Sequence, residues 1–100
     1  MPKLKAEPSH ADAVTRFLLT HGYSDAAARA RADLVTISST APEPWPLARL
    51  RRVGPSLWLL EMPTHTGRWE ITAYRAPFDH VLALLVTEFS WILHEARETR

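Results

Sequence analysis

One hundred residues, 46% of them apolar and 23% charged, fit a single globular domain with one modest core and no room for a separate cofactor domain. The absence of cysteine excludes disulfides, thiolate metal sites and cysteine nucleophiles, and a net charge of +1 excludes a molecule basic all over. The N-terminal MPKLKAEPSH lacks the apolar stretch of a signal peptide, and the longest apolar run, residues 81–86, falls far short of the ~20 residues that span a bilayer, so a cytoplasmic location with no membrane partner is expected.

Residues 1–8 read as a flexible arm. Ser9 is a suitable N-cap for a first helix over about 10–21, in which Ala11, Val14, Phe17, Leu18 and His21 follow the helical period and Gly22 supplies the stop. Ser24 and Asp25 suit the start of a second helix through DAAARARADL, with a thin stripe of Ala27, Ala30, Leu34 and Ile37. Three prolines in APEPWP make residues 41–46 a rigid connector, with Trp45 set against the core.

A strand over 47–53 comes next; the same residues are compatible with a short helix. Two strands then follow, at 57–62 and 68–75. Trp58, Leu60 and Met62 alternate on one, Trp69, Ile71 and Ala73 on the other, and both sets share a buried face if the connection is the four-residue loop 63–66. That register sets Leu60 opposite Trp69 and leaves Glu61 on the solvent face across from Arg68. From Pro77 onward neither glycine nor proline interrupts the chain. Phe78, Val81, Leu82, Leu85, Phe89, Ile92, Leu93 and Ala96 predict a helix over about 77–97. A buried strand over 80–86 with a shorter helix after it is the competing reading. The expected fold class is therefore α+β, one domain over residues 1–100: two N-terminal helices, a three-stranded antiparallel meander, and a long C-terminal helix packed on the sheet.

Charge is unevenly spread. Residues 45–75 carry Arg49, Arg51, Arg52, Arg68 and Arg75 against Glu61 and Glu70, whereas residues 76–100 carry two arginines against four acidic side chains. Arginine's planar fork suits phosphate, which makes those five the candidate nucleic-acid contacts. The five histidines show no metal-binding spacing, so no metal and no cofactor are expected. His65, in a predicted loop near basic side chains, is the one acid–base candidate. Four tryptophans are a high count for this length. Trp58 and Trp69 are expected in the core. Trp45 and Trp91, with His94 beside Trp91 on the last helix, are the candidate protein contacts, since interfaces are enriched in aromatics.

The stretch PLARLRRVGPSLWLLEMPTHTGRWEITAYRAPFDHVLALLVTEF, residues 46–89, resembles the toxins of RelE/HigB type from toxin–antitoxin systems. The matching pieces are Leu57–Glu61, then Trp69–Tyr74, then residues 84–89. The resemblance implies metal-independent cleavage of mRNA on the ribosome, with cations holding the backbone and stabilising charge on the scissile phosphate. Glu61, Glu70 and Ser90–Trp91 stand where that family carries arginines or lysines. Arg51, Arg52, Arg68, Tyr74, Arg75 and His65 are the residues that would have to supply the activity.

Two function classes follow. The leading expectation is a small non-enzymatic protein-interaction module, of the phage- or plasmid-borne kind, with another protein as partner and a homodimer among the alternatives. The second is a RelE-like toxin or its descendant acting on mRNA or the ribosome. A DNA-binding regulator using the second helix, with Arg29 and Arg31, is a third reading.

Overall fold

The computed structural model describes residues 4–40, 42–64 and 66–93. A five-stranded antiparallel sheet runs in simple meander order, β1 (Ala26–Arg31), β2 (Leu34–Ser39), β3 (Pro46–Gly54), β4 (Leu57–Pro63) and β5 (Trp69–Ala76). One helix, α1 (Pro8–Thr20), precedes the sheet, and α2 (Phe78–Thr87) follows it. Both helices pack on the same face, so the other face of the sheet carries no helix among the described residues. This corrects the expected fold: five strands stand where three were predicted, one N-terminal helix where two were, and a short helix where a long one was.

The first helix forms for the expected reasons. Ala11, Val14 and Leu18 fall on one stripe and are buried. Its start lies before Ser9, with Glu7 as N-cap, Pro8 in the first turn and the Glu7 backbone N–H donating to His10 Nδ1 at 2.9 Å. Gly22 adopts φ 87° and ends the helix. Its N–H reaches Leu19 O, and the Tyr23 N–H reaches Leu18 O, the paired bonds of a Schellman stop. The residues before the helix are held down: the Ala6 N–H donates to Ala32 O, and Arg52 Nη1 donates to Lys5 O.

The segment predicted as a second helix is the hairpin β1–β2. Alanine and arginine are good helix formers, but their alternation has the period of a strand. Ala26, Ala28 and Ala30 face the helices while Ala27, Arg29 and Arg31 face away. Small inward side chains let α1 lie close, and Thr15 Oγ1 accepts a hydrogen bond from the Ala28 N–H at 3.0 Å. In β2, Val35 and Ile37 are buried between the outward Thr36 and Ser38. The two-residue turn at Ala32–Asp33 places Ala32 at φ 54°, a conformation alanine rarely takes.

The predicted register of the β4–β5 hairpin is also corrected. Residues 64–68 make the connection, tied by Thr64 N–H to Arg68 O and Gly67 N–H to Thr64 O, with Gly67 at φ 83°. Pro63 therefore faces Trp69, and Glu61 faces Ile71. A bulge follows, so that Leu59 faces Arg75, and the Thr72 hydroxyl donates to Leu60 O within it. Trp58 and Leu60 point into the core as expected, but Trp69 and Ile71 lie on the opposite face with Glu61. The predicted outward glutamate paired with Arg68 is thus replaced by a buried one.

The C-terminal segment is helical from Phe78, as its period predicts, but α2 stops at Thr87. The Thr87 hydroxyl donates back to Ala83 O at 2.8 Å, an arrangement that bends helices. After a turn at 88–89, residues 90–93 are helical again, with Ile92 and Leu93 buried and Trp91 outside. The rest of the predicted helix, with His94, lies outside the described residues. The competing reading of a strand over 80–86 is excluded.

Candidate functional site

Two features stand out, a polar row that strand alternation builds on the uncovered side of the sheet and a hollow at one end of it. The first is a polar row. Arg29, Thr36, Arg49, Glu61 and Ile71 stand opposite one another across all five strands, and the adjacent row runs Arg31, Leu34, Arg51, Leu59 and Arg75. At its centre Glu61, only 2% exposed, accepts from Arg49 Nε at 2.7 Å and from Arg51 Nε at 2.6 Å. Arg51 Nη1 also reaches Asp33 Oδ2 at 3.0 Å. The Arg49 guanidinium lies 4.3 Å from the Trp69 ring centroid, as a stacked cation.

Burial pushes the Glu61 carboxyl up, but hydrogen bonds from Arg51 and Arg49, with their charges, outweigh it and hold the group below its ordinary value of 4.5. The same pairing raises Arg51 above its ordinary value. A carboxyl depressed on folding binds its proton more tightly in the unfolded chain. Its contribution to stability is therefore complete above pH 4.5 and is lost as pH falls through the lower folded value. The melting temperature of the parent chain is accordingly expected to fall more steeply below pH 4.5 than that of Glu61→Gln. Parallel slopes in calorimetry would refute this role for the carboxylate.

The second feature is a hollow of about 530 Å³ at the Pro46 and Pro63 end of the sheet. Its walls bring together Trp45 from the connector, Trp69 from the start of β5, and Trp91 from the last described turn of helix. Pro46 and Pro63 add rigid apolar surface, and Gly67 opens one rim. Trp45 is half-buried against the core, and Trp91 is 60% exposed. A large aromatic side chain this exposed, next to two others, gives flat apolar area with indole N–H groups as donors.

Of the predicted protein contacts, Trp45 and Trp91 thus come together, whereas His94 is outside the described residues. Of the predicted cations, Arg49, Arg51 and Arg75 share the open face. Arg52 does not: it bonds Lys5 O and Pro55 O, with its guanidinium 5.8 Å from the Trp58 ring on the core side. Arg68 is exposed in the β4–β5 connection, and Tyr74 packs edge-on against Phe89 on the helical side. His65 lies outside the described residues. The described members of the set implied by the toxin resemblance are therefore divided between the two sides of the sheet.

Sequence reasoning missed Arg29 and Arg31 as members of the open face and Trp69 as a wall of the hollow. The signal for the two arginines was the period of two in AAARAR. Among the described residues no group of three His, Cys, Asp or Glu is placed to hold a metal ion, and no helix is long and apolar enough to cross a membrane. No family model, curated protein or solved structure matches this chain.

Proposed function

We propose that this protein is a non-enzymatic protein-interaction module whose partner docks at the tryptophan hollow. The observation that carries the reading is the exposure of Trp91 beside Trp45 and Trp69 in one concavity. Aromatic anchors seated in a pocket supply most of the energy of an interface. Prolines 46 and 63 hold the walls in place, so little ordering cost falls on binding.

The test is capture of a stoichiometric partner by the tagged chain, followed by titration of that purified partner. Trp91→Ala is expected to weaken binding by about 2 kcal/mol or more, in the range of an interface hot spot. Its own thermal melt should stay within about 0.5 kcal/mol of the parent, as for an exposed substitution. Trp91→Phe should retain part of the affinity. Equal retention by parent and Trp91→Ala would show that the hollow is not the docking site.

A further inference from the structure

We propose that the open face of the sheet is a second binding surface, separate from the tryptophan hollow, and that its ligand is a single-stranded nucleic acid. The charge is concentrated there. Arg29, Arg31, Arg49, Arg51 and Arg75 stand on this face against Asp33 and Glu61, so it holds +3 in a chain whose total is +1. Glu61 and Asp33 occupy Arg49 and Arg51. No ion pair is made by Arg29, Arg31 or Arg75 among the described residues, which leaves three cations for a ligand.

Their placement suits a phosphodiester chain. Arg29 and Arg31 are two residues apart on β1, so their Cα atoms are about 6.8 Å apart, near the separation of successive phosphates on an extended strand. Both line a shallow hollow of about 710 Å³, where Thr36, Ser38 and Thr40 add hydroxyl groups able to bond phosphate and sugar oxygens. Arg75 closes the row that begins at Arg31, four strand spacings or roughly 19 Å across the sheet. Ile71, on the same strand as Arg75 and 64% exposed, offers apolar area for a base at that edge. Guanidinium planes stack on bases as well as bonding phosphate, so arginine rather than lysine on an uncovered antiparallel sheet favours unpaired nucleotides over an acidic peptide.

The test is fluorescence anisotropy with labelled 15-nucleotide oligothymidylate and oligouridylate, at 50 and 200 mM salt. Three phosphates neutralised on a single strand give a slope of about −2 in log affinity against log salt, a weakening of roughly 15- to 20-fold over that range. Arg29→Ala with Arg31→Ala should reduce the slope to about −0.7 and weaken binding at 50 mM salt at least tenfold. Arg29→Lys with Arg31→Lys should keep the slope. Trp91→Ala should bind the oligonucleotides as the parent does, which separates this surface from the tryptophan hollow. The proposal is overturned if neither oligonucleotide binds at 50 mM salt, or if the double alanine variant, folded by circular dichroism, binds like the parent. It is equally overturned if a 15-bp duplex binds as tightly as the single strands, or if polyglutamate displaces them at equal charge concentration.

Discussion

Glu61→Ala is expected to lose about 3 kcal/mol of unfolding free energy, the lower end of the range for breaking a buried ion pair. The carboxylate is almost wholly covered, and it accepts from both Arg49 and Arg51. Its removal strands two guanidinium groups whose side chains are only 18% and 33% exposed. The lower end applies because Arg51 keeps Asp33 and both arginines can turn toward water. For a domain of this size, that loss corresponds to a fall of roughly 12–24 °C in melting temperature. Urea unfolding with an unchanged slope would assign the whole effect to stability. A loss below about 1 kcal/mol would mean that the pair contributes no more than an exposed one. A triple replacement of Arg49, Glu61 and Arg51 by apolar residues of similar volume should recover most of the loss, since the energy lies in not leaving a charge alone.

The same network explains why the register was illegible. Hydropathy assigns a glutamate to the outside of a strand, and the predicted four-residue connection follows from that choice. The only sequence sign of a buried Glu61 is Arg49 and Arg51 two residues apart on the neighbouring strand, and two arginines on a strand equally describe a solvated face. The positive φ of Gly67 lets the connection lengthen to residues 64–68, which moves Trp69 and Ile71 away from the core. At β1 two physical tendencies conflicted. The helix propensity of alanine and arginine argued one way and the alternation Ala28–Arg29–Ala30–Arg31 the other, and tertiary packing of small residues under α1 decided it. The turn that makes the hairpin is hidden, because Ala32 takes a left-handed conformation for which sequence offers glycine or asparagine as the usual sign.

What was legible had short-range causes. The stripe Ala11, Val14 and Leu18 with the stop at Gly22 needs no partner to be read, and the alternation of Trp58 and Leu60 fixes their inward face. Trp45 and Trp91 could be singled out as aromatics hard to bury, but their meeting could not. It depends on the bend after Thr87, which swings residues 90–93 toward the proline connector. The open face is half legible: Arg49, Arg51 and Arg75 fall within one basic group, but that group also takes in Arg52 and Arg68, and Arg29 and Arg31 read as part of a helix.

Trp58→Ala is expected to be the most damaging single truncation in the core, with a loss of about 3–5 kcal/mol. In a domain whose total stability is ordinarily about 5–15 kcal/mol, that loss leaves little or no folded population at 37 °C if the parent lies near the lower end. The indole is 2% exposed and meets three separate elements. The His10 ring of α1 lies 4.9 Å away, edge-on, and Phe78 at the start of α2 lies 5.0 Å away. Arg52 of β3 covers a third side. Because one side chain joins both helices to the sheet, truncation should uncouple them rather than leave a fixed hole. Near-ultraviolet circular dichroism should weaken, and the thermal transition should broaden as it moves down. Trp58→Phe keeps the ring contacts and should cost far less. The coupling is separable from simple volume loss by a double-mutant cycle with Phe78→Leu, for which an interaction energy of about 0.5–1.5 kcal/mol is expected from the aromatic pair. Strict additivity in that cycle would mean that Trp58 fills space without linking α2 to the sheet. The position of the last helical turn, and with it that of Trp91, would then have to be set by Ile92 and Leu93 instead.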